Sequence, residues 1–413
     1  MTEVAIVGAG LSGLACARAL QRAGVECAVY DAADAVGGRV RTWRGDGYQV
    51  DRGFQVFLTA YPEARRVLDY DALDLRPFTP GAWVRLGDGF ERVGDPLRRP
   101  LQALPSLLAD VGSLADKLRV LRLRQSVTAG TVEALWQRPE TTTEAALRGR
   151  YGFSDVMIDR FFRPFLGGVL LDRSLAASSR AFEFYFRCFS RGDAAVPAAG
   201  MQAIPEQLAD GLAPGTVRLN AEVDEVSSRE VRVGGESVAC RAVVVATDAA
   251  AAGRLLDLDV PPSKGTVQIA WAADAPPTDQ PVLMLDGDGA GPVNNAQVMS
   301  AVAPSYAPPG RALVTASVLG RPDGDDDALD AAARGQLRTW FGAQVDGWRP
   351  LRVDRVPHAL PDLPSLSPPE RPAHLADGLY VTGDWRRNGS INGALVAGRH
   401  AAEAVLSDLG ARV

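Results

Sequence analysis

Three glycines in the run Gly8-Ala9-Gly10-Leu11-Ser12-Gly13 directly follow the apolar stretch Val4-Ala5-Ile6-Val7. Residues of that type at that spacing hold phosphate through the main chain. Gly8 permits a tight turn, Gly10 lets the backbone approach a pyrophosphate, and Gly13 lets a helix lie close on its strand. The amides at Leu11 and Ser12 then open a helix whose positive end faces the phosphates. Asp31 ends a second apolar run, Cys27-Ala28-Val29-Tyr30, near the roughly 20-residue distance at which a carboxylate accepts from a ribose hydroxyl pair. A lone G-x-G-x-x-G means little, but here strand, turn, helix, strand and acid come in the required order. The chemistry implied is the binding of a dinucleotide.

Further residues extend that site. Gly37 and Gly38 suit close backbone approach to a phosphate or sugar-alcohol chain, and Arg39 can pair with phosphate. Gly53-Phe54-Gln55 ends a loop and strand that wrap back over the ligand. Near the other end of the chain, a strand closes in Gly383-Asp384, and a small-residue helix opens around Ser390-Ile391-Asn392-Gly393-Ala394. The amides of that helix can face a carbonyl oxygen and favour charge building there. Cys16, Cys27, Cys188 and Cys240 are scattered with no C-x-x-C pair, and only three histidines occur. This pattern predicts no disulfide framework, no redox dithiol and no metal site.

The elements that position these residues follow from the rest of the chain. The 413 residues allow two or more domains, and 46% hydrophobic with 23% charged residues is an ordinary globular profile. A net charge of -6 gives no reason to expect nucleic acid as a partner. No apolar run reaches transmembrane length, and the first strand leaves no room for a leader, so a cytoplasmic location is expected. From about Thr59 to Gly200, strands around Trp83–Leu86 and Phe90–Val93 give way to helical periodicity. Leu107, Val111, Leu114, Leu118 and Leu121 share one helical face, read as a core-facing stripe. The alternative is a basic amphipathic surface, with Arg98 and Arg99 just upstream, resting on the inner face of a membrane. The aromatic runs Phe161–Phe165 and Phe182–Phe189 suit a core, part of which lines an apolar substrate cavity. Strands then recur at Val217–Leu219, Val223–Val226, Val231–Val233, Ala242–Thr247, Val267–Trp271, Val282–Leu285 and Leu313–Val318, with a helix over Ala328–Phe341.

With both ends in view, the chain resembles the superfamily of FAD-dependent amine oxidases, protoporphyrinogen oxidases and carotenoid desaturases. Gly8, Gly10, Gly13, Asp31 (usually Glu there), Gly37, Gly38 and Arg39 match its N-terminal pattern. Leu219–Val226 looks like its adenine-side strand with Val223 as the backbone contact, and Thr247 ends the next strand. Gly383, Asp384, Ser390, Ile391, Asn392 and Ala394 match its flavin-capping segment. The resemblance implies an α/β fold with a Rossmann-like FAD-binding domain (1–75, 201–260, 359–413). A substrate domain of mixed sheet and helices (76–200, 261–358) would interleave with it. It implies non-covalent FAD, since no cysteine stands beside the capping segment, and hydride removal from a C–H bond; the aromatic runs favour a small apolar or polycyclic molecule as the substrate. Amine oxidases carry a lysine inside a substrate-domain strand. Here Gly265–Trp271 has none and Lys264 stands just before it, so Lys264 and His358 are the candidate acid–base residues. Flavin amine oxidase, flavin-dependent isomerase and non-catalytic flavoprotein subunit are the alternatives.

Overall fold

The computed structural model describes residues 3–94, 109–368 and 370–410. In chain order the elements that frame the site are β1 (Val4–Val7), α1 (Leu11–Arg22), β2 (Cys27–Tyr30), β3 (Gly81–Leu86), β4 (Gly89–Gly94), α2 (Leu114–Thr128), α3 (Arg163–Leu170) and α4 (Ser179–Arg191). They continue with β5 (Val217–Arg218), β6 (Ala242–Val245), β7 (Ser263–Ala273), β8 (Leu283–Asp286), β9 (Val293–Val298), β10 (Ala312–Leu319), α5 (Asp326–Phe341), β11 (Arg349–Pro361), β12 (His374–Ala376), β13 (Leu379–Val381) and α6 (Ile391–Leu409). The fold is α/β.

One sheet runs in the order β5-β2-β1-β6-β13-β12. Its strands are parallel except for β12. β1 and β6 are apolar at every position and buried on both faces, as central parallel strands must be. The helices α1 and α6 cross in direct contact, because Gly398 stands where a side chain would strike the Ser12 carbonyl. The Ser12 hydroxyl also donates to the Ala394 carbonyl at 2.9 Å. The two ends of the chain therefore form one surface.

The second sheet has the order β11-β7-β10-β9-β8-β3-β4. Alternation along its strands splits its faces. Val267, Ile269, Trp271, Ala296 and Val314 pack with Leu329, Ala333 and Leu337 of α5. Asn295, Gln297, Thr315 and Ser317 are buried too, and bond to one another: Asn295 Nδ2 donates to Gln297 Oε1 at 3.1 Å and Ser317 Oγ at 3.2 Å, and Gln297 Nε2 to Thr315 Oγ1 at 2.5 Å.

The helical stripe is corrected by the structure. α2 begins at Leu114, where Ser113 and Asp116 form a capping box, so Val111 precedes the helix and is buried. Leu114, Leu118 and Leu121 face outward, while Asp116, Leu123 and Val127 are buried. The cause is Asp116, whose carboxylate accepts from Ser113, from Ser154 N at 3.0 Å and Oγ at 2.7 Å, and from Arg119. Turning the leucines inward would strand that buried charge. Leu107, Arg98 and Arg99 lie outside the described residues.

Candidate active site

A cavity of about 1160 Å³ runs between the two sheets. Single small-molecule pockets span roughly 300–1,000 Å³, so there is room for a dinucleotide and part of a second ligand. At one end it is walled by backbone. Gly8, Gly10, Gly37 and Gly38 all line it. Gly8 and Gly37 have φ of 107° and 114°, conformations that favour glycine. A Cβ on Gly10 would meet nothing within 4 Å, so the space in front of that residue is open. No side chain caps the first turn of α1, which leaves its amides for a ligand. Leu11 and Ser12 line the cavity, whereas Gly13 lies behind it, with its Cβ position 1.9 Å from the Gly8 carbonyl oxygen. Asp31 is fixed beside this turn, accepting from Ala9 N at 2.6 Å and Ala33 N at 2.8 Å.

Val223, Thr247, Gly53, Phe54, Gln55, Arg39, Gly383, Asp384, Ser390, Ile391 and Ala394 continue the lining. Arg39 reaches Asp384 at 2.6 Å and the Ala359 carbonyl at 3.1 Å. Burial pulls the Arg39 guanidinium pKa down, but the Asp384 carboxylate outweighs it and the net shift is upward. Asn392 does not line the cavity: its side chain accepts from Glu63 N at 2.9 Å and anchors α6. Thr382 Oγ1, Trp385 Nε1 and Asn388 Nδ2 are buried without a hydrogen-bond partner. They cluster in sequence around Gly383–Ser390, where buried polar atoms normally find one. Bare amides, an open glycine cradle and a placed carboxylate together fit an extended dinucleotide that ends against α6, whereas Thr382, Trp385 and Asn388 do not line the cavity.

At its other end the cavity is apolar. Phe78, Met157, Phe161, Phe165, Val169, Phe186 and Phe189 line it, with Tyr61 and Tyr185. Burial pushes both phenols well up, so they act there as neutral groups. Tyr185 donates to the Asn388 carbonyl and so fixes the turn before α6. Asn295 and Thr266 supply the polar part of the sheet wall.

The two acid–base candidates separate. The β7–β11 ladder shifts between Lys264 and Thr266, and Pro357, His358 and Ala359 bulge into the cavity wall. His358 therefore lines the cavity, exposed, with Nδ1 2.5 Å from Ser263 Oγ. Lys264 does not. Its Nζ pairs with Asp172 at 3.2 Å and Asp362 at 3.1 Å, and Thr266 takes the wall position instead. The structure thus places Lys264 in an ion-paired cluster off the cavity wall, apart from His358. Nothing in the residue pattern marks Thr266 or Asn295 as wall residues.

Fold and site together define a two-sheet, dinucleotide-binding enzyme with an apolar second chamber. The chain belongs to the flavin containing amine oxidoreductase family, whose sequence profile matches residues 11–406. It is an FAD-dependent oxidoreductase. Coproporphyrinogen III oxidase of Propionibacterium freudenreichii is 27% identical over 422 residues, covering 82% of this chain and 77% of that protein. A 15-cis-phytoene desaturase of Synechococcus elongatus is 47% identical over 61 residues, covering 14% of this chain and 13% of that protein. Among solved structures, an oxidoreductase from Methanosarcina mazei superposes with a TM-score of 0.74 at 18% identity, over 98% of this chain and all of the other (100%). Putrescine oxidase bound to putrescine gives 0.72 at 18%, over 98% and 99%. These last two likenesses speak to the fold alone.

Proposed function

We propose that this chain holds FAD non-covalently and dehydrogenates a small apolar or polycyclic molecule at a C–H bond. When bound, the flavin supplies the hydride acceptor at N5. The observation that carries the substrate class is the aromatic chamber of Phe161, Phe165, Phe186 and Phe189, which among the described residues offers no carboxylate to a charged amine. The glycine turn and α1 would hold the pyrophosphate, Asp31 the adenosine ribose, and Asp384 with Arg39 the ribityl–phosphate side. The amides of α6 would face the ring. The chamber binds and orients the substrate and excludes water from it. Thr266 on the wall, in place of a cation, leaves the second proton to solvent or to His358 at the rim. The coproporphyrinogen oxidase match, the longest in sequence of those given above, supports a polycyclic substrate.

The test is anaerobic bleaching of the visible flavin band by porphyrinogens, polyenes and amines in turn. Bleaching by a porphyrinogen or polyene is the expected result. Bleaching by amines alone would replace this reading with an amine oxidase, and a protein that shows no flavin band after incubation with FAD would end it.

A further inference from the structure

We propose that the Tyr61 hydroxyl donates a hydrogen bond to a carbonyl oxygen of the flavin ring, and that this bond helps set cofactor affinity and potential; this rests on the FAD placement given above. Tyr61 is only 5% exposed, yet it lines the cavity, and its hydroxyl meets no hydrogen-bond partner among the described residues. Buried hydroxyls normally have one, so the partner is expected to arrive with a ligand. The aim of the phenol is fixed. Its ring stacks on Phe184 at 6.1 Å and 8°, and Phe57 meets it edge-on at 6.0 Å. Tyr61 also caps the short helix Pro62–Val67, which is tied to α6 by two contacts. Glu63 N donates to Asn392 Oδ1 at 2.9 Å, and the Glu63 carboxylate accepts from Arg399 Nε at 2.8 Å. Tyr61 is thereby held beside α6, whose Ile391 and Ala394 line the same cavity.

Other polar side chains of the cavity wall are spent on the protein. Tyr185, whose phenol neighbours that of Tyr61, donates to the Asn388 and Gly389 carbonyls. Thr266 Oγ1 donates to the Val318 carbonyl at 3.0 Å, and Asn295 Nδ2 donates to Gln297 and Ser317. Tyr61 alone of these four keeps a proton to give, and burial keeps that phenol neutral and a donor. The chamber walls beyond it, Phe161, Phe165, Phe186 and Phe189, carry no acceptor, and an apolar substrate brings none. A flavin ring that ends against α6 brings carbonyl oxygens. A donor fixed in a site without water stabilises negative charge on such an oxygen more than it stabilises the neutral carbonyl. The bond is therefore stronger to the reduced ring than to the oxidised one.

The test compares the full wild-type chain with Tyr61→Phe, which keeps the stacked ring and removes only the hydroxyl. Without FAD the variant should melt no earlier than the wild type, because no bond within the protein is lost. Fluorescence titration should show a Kd for FAD raised roughly 2- to 10-fold. Equilibrium reduction against a reference dye should show a midpoint potential about 30 mV lower, equivalent to a tenfold larger loss of affinity for the reduced than for the oxidised flavin. Tyr185→Phe is the control with the opposite pattern, since its hydroxyl serves the turn before α6 and its loss should lower the melting temperature of the apoprotein. An early apo melt of Tyr61→Phe would give the hydroxyl a structural partner and overturn the proposal. So would an unchanged Kd and potential, and a substrate bound more weakly by that variant would then assign the hydroxyl to the substrate instead. Wild-type protein that takes up no FAD would remove the cofactor placement itself, so the two failures read differently.

Discussion

Replacing Gly10 and Gly13 by alanine, one at a time, separates the cofactor cradle from the fold. Gly10 has φ -74° and ψ 177°, which alanine adopts freely, and its Cβ would enter open space. The apo protein should therefore melt at or slightly above the wild-type temperature, because alanine restricts the unfolded chain by about 0.4–1 kcal/mol. The new methyl group occupies the volume in front of the α1 amides, where a pyrophosphate would come closest. Losing one charge-assisted hydrogen bond there costs about 1.5–3 kcal/mol, a roughly 10- to 100-fold weaker Kd for FAD. Gly13→Ala inverts the pattern. Its Cβ would stand 1.9 Å from the Gly8 carbonyl oxygen, so helix and strand must separate. Overpacking of that kind costs about 1–3 kcal/mol or more, and the apo protein itself should lose stability. The assay is a fluorescence titration of apoprotein with FAD alongside a thermal melt without it. If Gly10→Ala bound FAD as tightly as the wild type, the pyrophosphate would not lie against this turn and the placement of the cofactor would be wrong.

Three other outcomes follow from contacts described above. Arg39→Gln removes the partner of Asp384, whose side chain is only 7% exposed, and should lower apo stability by about 1–3 kcal/mol as well as FAD affinity, read by chemical denaturation and titration. Lys264→Met should leave the rate of flavin reduction within about twofold while costing about 1 kcal/mol of stability; a reduction rate at least tenfold slower in stopped flow would return Lys264 to the chemistry. Burial alone would raise the Asp116 carboxyl pKa, but bonds from Ser154 and Ser113 outweigh it and hold the group below the usual carboxylate range. Its folded value is depressed, so its stabilisation is present at neutral pH and is lost as pH falls below about 4. Asp116→Asn should accordingly cost about 1–3 kcal/mol at pH 7, and denaturation midpoints of variant and wild type should converge as the pH is lowered through that range.

What the sequence disclosed was local. Gly8, Gly10, Asp31, Gly37 and Gly383 announce themselves because turn geometry and phosphate approach depend on a few consecutive residues. β9 and β11 went unrecognised for the opposite reason. Asn294, Asn295 and Gln297 do not look like a buried strand, and they become one only because Thr315 and Ser317 on β10 satisfy them. The roll of α2 likewise depends on Ser154, 38 residues past Asp116. Lys264 looked close enough to the substrate strand to serve it, until a bulge around His358 shifted the pairing. Each miss turns on a partner distant in sequence, which periodicity cannot register.

The order of strands in the first sheet has a temporal consequence. β1 is held on one side by β2, and on the other by Val243 and its neighbours, while β6 in turn is held by Leu379–Val381. β1 thus waits for synthesis to reach Ala242–Val245 before its second neighbour exists. α6, whose Ser390 cap, Ile391 and Ala394 line the cavity, follows later still. Contacts of such long sequence separation form slowly, and exposed apolar strand edges are prone to misassembly meanwhile. A chain arrested before Leu379 would carry an intact glycine turn and no cradle. Cofactor capture then needs the glycine turn and α6 together, and FAD present during refolding should raise the yield of native protein only in the final, slow phase.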